Sequence, residues 1–334
     1  MTPPDDALPR ASVPLDDQLA PVEGYLPGVG HVAGGTVVQE VSTAMQPVDL
    51  LVAAGPPRSF RRDAWRRFKK NKLALFGLAL VIFLLLVGLF GPLFVQDPYF
   101  QERTIFRSPP DAQHWFGTDQ IGRDEFSRVV HGIRLSLLIG LAVTLLQTTI
   151  GLSMGAIAGW SGRWIETVIM RLIDVLLGIP YIVLAFALIS VIGRGVSAVV
   201  LTLALTAWLT TARVIRGSFL QAKEYDYVEA ARAVGVPAGR TIWRHILPNV
   251  IQPIIVLVAI SIGAAVLSEA ALSFLGVGVQ EPTPSLGLMI ARSRSFFSSA
   301  PWLLFFPGLA IMLTVLGFLL VGDGLRDALD VRET

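Results

Sequence analysis

Along this chain, hydrophobic positions are arranged in blocks. Positions 1–57 show no lasting helical or strand period and hold nine prolines, six glycines, seven acidic residues and one arginine. Such a segment cannot bury enough apolar surface to offset chain entropy, so it predicts a disordered tail, with a docking segment around Gly35–Val41 as the alternative. The pattern then changes abruptly. Positions 58–72 carry Arg58, Arg61, Arg62, Arg66, Arg67, Lys69, Lys70 and Lys72 against one acid, Asp63. Leu73–Val95 follows without a single charge, and about 20 apolar residues suffice to cross a bilayer. Five more blocks of comparable character lie at Gly132–Trp160, Ile165–Ile192, Ala198–Arg213, Asn249–Glu269 and Trp302–Val321. The pattern predicts an all-α integral membrane protein with six transmembrane helices across 73–321. A basic segment at 58–72 precedes them, a polar loop at 215–248 interrupts them, and a charged tail at 322–334 follows.

Composition agrees. Hydrophobic residues make up 53% and charged residues 16%, against roughly 25% charged in soluble domains. The chain does not begin with a basic region followed by a short apolar run, so no secretory signal is expected. The distribution of charge sets the expected orientation. The basic cluster at 58–72 and the loop at 215–248 are both on the positive side of the balance. The loop has Arg216, Lys223, Arg232, Arg240 and Arg244 against Glu224, Asp226 and Glu229. Both are therefore expected in the cytoplasm, and six crossings then place the N- and C-termini there. Gln96–His131, with six acids and four arginines, and Ala270–Ala300 are expected on the outer side. The juxtamembrane position of the 58–72 cluster accounts for its charge, so no nucleic-acid partner is expected. The chain has no cysteine and four histidines without metal-ligand spacing, which excludes disulfides and thiolate chemistry and predicts no bound metal.

Within the spans, Gly151, Gly155 and Gly159 recur every four residues, the small-residue spacing that lets helices approach closely in lipid. Trp302 is expected as an interfacial anchor. Glu166, Arg171, Asp174 and Glu269 are charges inside or at the edge of spans, where charge is costly and often functional. Glu166 and Arg171 are expected to snorkel near one end. Asp174 lies three residues from Arg171 and could pair with it. Glu269 lies near the outer end, where solvation is the plain reading and a translocation role the sharper one. Pro180, Pro253 and Pro307 can each kink a span, and Pro180 is a weak candidate for a gate beside Asp174 and Glu269.

The loop at 215–248 holds the most specific signal. Asp226 can cap a helix, with Glu229 reaching back as in a capping box. Ala230, Ala231 and Ala233 favour the helix, Gly235 suits a left-handed C-terminal position, and Pro237 stops continuation. The result is a helix of about eight residues, ~12 Å long, too short to hold alone in water. It must pack against its own chain or a partner. Small alanines would allow close approach, and Glu229 offers a charge.

Glu229-Ala230-Ala231, three residues, Gly235, and then Leu247-Pro248 resembles the EAA loop of permease subunits in bacterial ATP-binding-cassette importers. His245-Ile-Leu-Pro-Asn249 departs from the fuller pattern at His245, as in the dipeptide, oligopeptide and nickel branch. His114-Trp-Phe-Gly-Thr-Asp-Gln-Ile-Gly-Arg-Asp124, Phe274-Leu-Gly-Val-Gly278, Pro284-Ser-Leu-Gly287 and Gly322-Asp-Gly-Leu-Arg-Asp327 look like that branch too. The basic segment ending at Asn71-Lys72 is similar to its C-type permease. The resemblance covers about 58–331 and implies the type I permease fold in a prokaryotic plasma membrane, as a multi-pass protein. It also implies a homologous B-type permease, ATPase subunits and an extracytoplasmic substrate-binding protein as partners. Asp226, Tyr227, Glu229, Ala230, Ala231, Gly235, Leu247 and Pro248 would be the ATPase-coupling residues. The chain has no Gly-x4-Gly-Lys-Ser/Thr phosphate loop, so ATP and Mg would be bound by partner subunits and this chain would be non-catalytic. Two other function classes are a proton-driven transporter using Asp174 or Glu269, which would work without ATPases, and an intramembrane hydrolase, for which no nucleophile–base set appears.

Overall fold

A computed structural model describes residues 60–329. The tail at 1–57 with its Gly35–Val41 segment, Arg58, and residues 330–334 lie outside that range.

A short basic helix, Phe60–Lys70 (α1), meets the first span, Lys72–Phe90 (α2), at Asn71. The extended backbone at Asn71 breaks the helix, and its side chain caps the new one, accepting from Leu73 N at 3.0 Å and Ala74 N at 3.1 Å. The next helix, Glu125–Ser161 (α3), begins seven residues before the expected span, so 125–131 is helical rather than loop. Asp124 starts it by accepting from Ser127 N at 2.7 Å. The hydrophobic pattern hides these turns because Glu125 and Arg128 are buried by tertiary packing, each 2% exposed.

The third expected span is not one rod. It is two helices, Arg163–Leu177 (α4) and Tyr181–Ile192 (α5), bent by 97° at Gly178–Pro180. Pro180 has no N–H and forces the preceding residue out of the helical region. Val196–Lys223 (α6) extends ten residues past the expected fourth span. The loop then forms Asp226–Ala233 (α7) and Ala238–Thr241 (α8), and a π-helical turn at Ile242–Ile246 leads into Leu247–Phe274 (α9). A short helix, Leu286–Ser293 (α10), precedes the last span, Trp302–Leu329 (α11), which absorbs most of the expected charged tail. Among the described residues, five helices are long and apolar enough to cross a membrane, or six if the bent α4–α5 pair is counted as one span.

One core cluster joins α2, α3, α9, α10 and α11 through Leu84, Ile133, Ile262, Leu286 and Phe318. Its antiparallel order follows from where the ends meet. The end of α2 packs beside Val130 and Arg134 at the start of α3. The start of α2 meets the end of α11, where Phe68, Ala74 and Ala328 cluster and Asn71 Nδ2 donates to Asp327 Oδ2 at 3.1 Å. The first and last described helices therefore meet at one end of the bundle. The end of α3 reaches that end too, beside the 215–248 loop. The Gly151, Gly155 and Gly159 spacing works as expected, because a Cβ at Gly155 would stand 2.6 Å from Ala212 O on α6 and one at Gly159 2.6 Å from Phe219 Cβ.

Candidate functional site: the 215–248 loop and the spans above it

The short helix forms over the eight residues expected, but its start differs. The N-cap is Tyr225, without a side-chain cap bond, and Asp226 is the first helical residue, so no capping box forms. Asp226 and Glu229 still lie in the first turn, where acidic groups complement the helix dipole. The C-terminus is as read from sequence. Gly235 has φ +75°, its N–H reaches Arg232 O at 2.9 Å, and Val236 N reaches Ala231 O at 3.0 Å. Pro237 ends α7 and also precedes α8.

What places α7 is a set of residues the motif does not contain. Val228 is fully buried among Phe219, Ala222, Ile246 and Val250, which come from α6, the π turn and α9. Arg232 stacks over the Trp160 ring at 4.7 Å. Lys223 Nζ donates to Gly159 O at 3.1 Å and Trp160 O at 2.9 Å, satisfying carbonyls left open at the end of α3. The loop is thus keyed to α3, α6 and α9 together. Arg232 and Trp160 are 72 positions apart in sequence, and no local pattern connects them.

The expected coupling residues divide between two sides. Asp226, Tyr227, Glu229, Ala230, Gly235 and Pro248 are exposed, whereas Ala231 is buried and Leu247 is half-buried in the cluster around Val228. Ala230 and Ala231 therefore do not form one open alanine face: their 100° separation turns Ala231 inward. Tyr227 is hydrogen-bonded with Asn249, and partial burial raises its hydroxyl pKa above the usual tyrosine range.

The charges within the spans resolve differently from the local expectation. Asp174 Oδ1 accepts from Arg213 Nη2 at 2.6 Å, and Arg171 is not its partner. Glu166 pairs with Arg216 instead of snorkelling, accepting from its Nε at 2.7 Å. Both acids tie α4 to α6, an arrangement that i, i+3 spacing within α4 cannot foresee. Glu269 is not solvated: it is fully buried, and three serine hydroxyls donate to it. Trp302 is half-buried beside Gly117 of the 96–124 loop, a packing role added to the expected anchoring.

Pro180 sits at the α4–α5 break, beside a cavity of about 310 Å³ between α3, α5, α6 and α9. Gln147, Tyr181, Thr206, Thr210, Ser261 and Ser268 supply its polar groups, and no charged side chain lines it. Tyr181 lines it together with Ser268 and Thr206. The sequence reading missed these residues, because isolated hydroxyls in an apolar span carry no signal without the helix neighbours.

Residues 151–334 match the family described as the binding-protein-dependent transport system inner membrane component. Residues 59–110 match the N-terminal TM domain of oligopeptide transport permease C. A dipeptide transport system permease protein, DppC, of Alkalihalophilus pseudofirmus is 42% identical over 86% of this chain and 93% of its own length. An oligopeptide transport system permease protein, OppC, of Bacillus subtilis is 38% identical over 82% of this chain and 90% of its own. A glutathione transport system permease protein, GsiD, of Pectobacterium atrosepticum is 39% identical over 81% and 91%. A crystal form of the MetNI methionine ABC transporter in an inward-facing conformation shares the fold, with a TM-score of 0.51 and 18% identity over 60% of this chain and 96% of that one.

Proposed function

This chain belongs to the binding-protein-dependent transport family as one of its inner membrane components, and from that membership we propose that it is the permease through which an ATP-driven importer moves di- or oligopeptides. Its multi-pass helical body fits the plasma membrane. The cargo class rests on relatives that are dipeptide, oligopeptide and glutathione permeases. A second permease would complete the pathway, a substrate-binding protein would deliver cargo, and ATPase subunits would bind ATP and Mg.

The observation that carries the coupling mechanism is the two-sided setting of α7. Its inner side, Val228 and Ala231, is locked into the cluster that joins α6 and α9, and its outer side, Tyr227, Glu229 and Ala230, is bare. A partner gripping the bare side moves two spans at once, because α6 leads into the loop and α9 leads out. Glu229 joins none of the ion pairs among the described residues and is the charge a basic groove would take. ATP-driven closure of the partner would pull α7, tilt the spans and alternate access to the cavity between α3, α5, α6 and α9. This reading places α7 in the cytoplasm.

The test uses the assembled importer with Glu229→Lys or Gly235→Pro. A charge reversal at an interface costs several kcal/mol, so Glu229→Lys should lower cargo uptake by more than about tenfold. Gly235→Pro forces φ toward −65° and should break the loop outright. Normal uptake and ATP turnover in both variants would sink the coupling role. Uptake by the purified chain without ATPases would point to a self-sufficient transporter instead.

A further inference from the structure

Two motifs left unused by the coupling mechanism, Phe274–Gly278 and Pro284–Gly287, lie next to one buried carboxyl group, which Ser285 of the second and Ser273, just before the first, contact. Ser273 Oγ, from the last turn of α9, donates to Glu269 Oε1 at 2.8 Å. Ser285 Oγ, from the N-cap of α10, donates to the same oxygen at 2.8 Å. Ser136 Oγ of α3 donates to Oε2 at 3.1 Å. The first hydroxyl is already committed as acceptor, since Val279 N donates to Ser273 Oγ at 3.0 Å. Its proton is therefore directed at Glu269. Gly287 lies directly on the Ala270 backbone, so α10 crosses α9 at closest approach immediately beside this carboxyl. Glu269 is 0% exposed and forms none of the ion pairs among the described residues.

Burying a carboxyl group is costly, and the same volume filled by an apolar side chain would pack these helices without that cost. Three hydroxyls offset it here: Ser273 from the same helix, and Ser136 and Ser285 only while α3 and α10 stay packed against α9. The adjacent residue, Ser268, lines the largely apolar cavity between α3, α5, α6 and α9, as Tyr181 does. The cavity wall and α10 are thus linked through neighbouring residues of one helix.

We propose that Glu269 is a positioning residue for transport: it latches α10, at the bundle end opposite α7, to the wall of the central cavity, so that α10 and the cavity change together. The inference uses the chain's membership of the permease family and is independent of how α7 engages a partner. Lifting α10 breaks the Ser285 bond and reseating it remakes that bond, while Ser273, on the same helix as Glu269, stays bonded throughout. Gln keeps the carbonyl that receives two of the bonds, whereas Leu removes all three.

The chain has no cysteine, so a single one reports on α10. Met289 is 4% exposed and lies on the buried side of that helix. In the complete importer in nanodiscs, the rate at which maleimide labels Met289→Cys measures how often α10 lifts. A net hydrogen bond of about 1 kcal/mol shifts that equilibrium about fivefold. Ser285→Ala, which removes the one bond from Glu269 to α10, should raise labelling about fivefold, Glu269→Leu by at least as much, and Glu269→Gln by less. Basal ATP turnover in the absence of binding protein should rise in the same order, and stimulation by the binding protein should fall. Phe297→Cys, exposed already, should label at one rate in all backgrounds. If Glu269→Leu does not assemble, Ser285→Ala still decides. Labelling and basal turnover unchanged in Ser285→Ala would overturn the latch. Normal uptake and ATP turnover in Glu229→Lys and Gly235→Pro would overturn only the α7 coupling.

Discussion

At Gly235 the backbone sits at φ +75° with nothing within 4 Å of the place a Cβ would occupy. A side chain there would meet no clash, only the conformational cost. Gly235→Ala should therefore destabilise the end of α7 by about 1 kcal/mol and speed amide exchange there about fivefold. Gly155 is the opposite case. Its φ is helical, but a Cβ would press on Ala212 O and Ile215. Gly155→Val should cost roughly 1–3 kcal/mol, lowering the melting temperature of the purified chain by several degrees. Both glycines were readable from sequence, one as a helix stop and the other as a four-residue repeat. Glu269 was readable only as a charge in an odd place. Its partners Ser136 and Ser285 are 133 and 16 residues away, and no periodicity joins them.

Among the helices, the boundary between α1 and α2 rests on one side chain. Asn71 caps α2 and also reaches Asp327 of α11. Asn71→Ala should loosen the first turn of α2 by about 1 kcal/mol, visible as faster exchange of the Leu73 and Ala74 amides with the rest of α2 unchanged. Hydropathy located every crossing but misplaced several ends. The start of α3 carries polar residues that only the ion pairs and loop contacts make buriable: His114 Nδ1 to Asp124 at 2.9 Å, Arg123 Nε to Asp119 at 2.5 Å, and Arg128 Nη1 to Pro98 O at 3.2 Å. The bend at Gly178–Pro180 was foreseen as a kink, but its 97° angle was not. Pro180 permits the break, because it lacks an N–H and disfavours the helical region for Ile179 before it.

For the molecule as a whole, the bundle brings α7, the start of α2 and the end of α11 to one end, and α10 and the 96–124 loop to the other. The basic balance of the α7 end predicts that it faces the cytoplasm. In intact cells, an impermeant maleimide should label Ser299→Cys and spare Lys70→Cys and Ala233→Cys until the membrane is opened. The reverse pattern would invert the orientation.

The sequence by itself determined the membrane class, the number of crossings, the eight-residue helix and the family. Each of these is written in neighbouring residues, as hydropathy, turn chemistry or a short string. The tertiary structure alone decided that α7 is keyed through Val228 and Arg232, that Asp174 and Glu166 bind α6, and that two unexplained motifs lie next to Glu269. Those outcomes depend on which helices lie side by side, and a buried charge or hydroxyl takes its meaning from groups that packing, not chain order, brings within 3 Å.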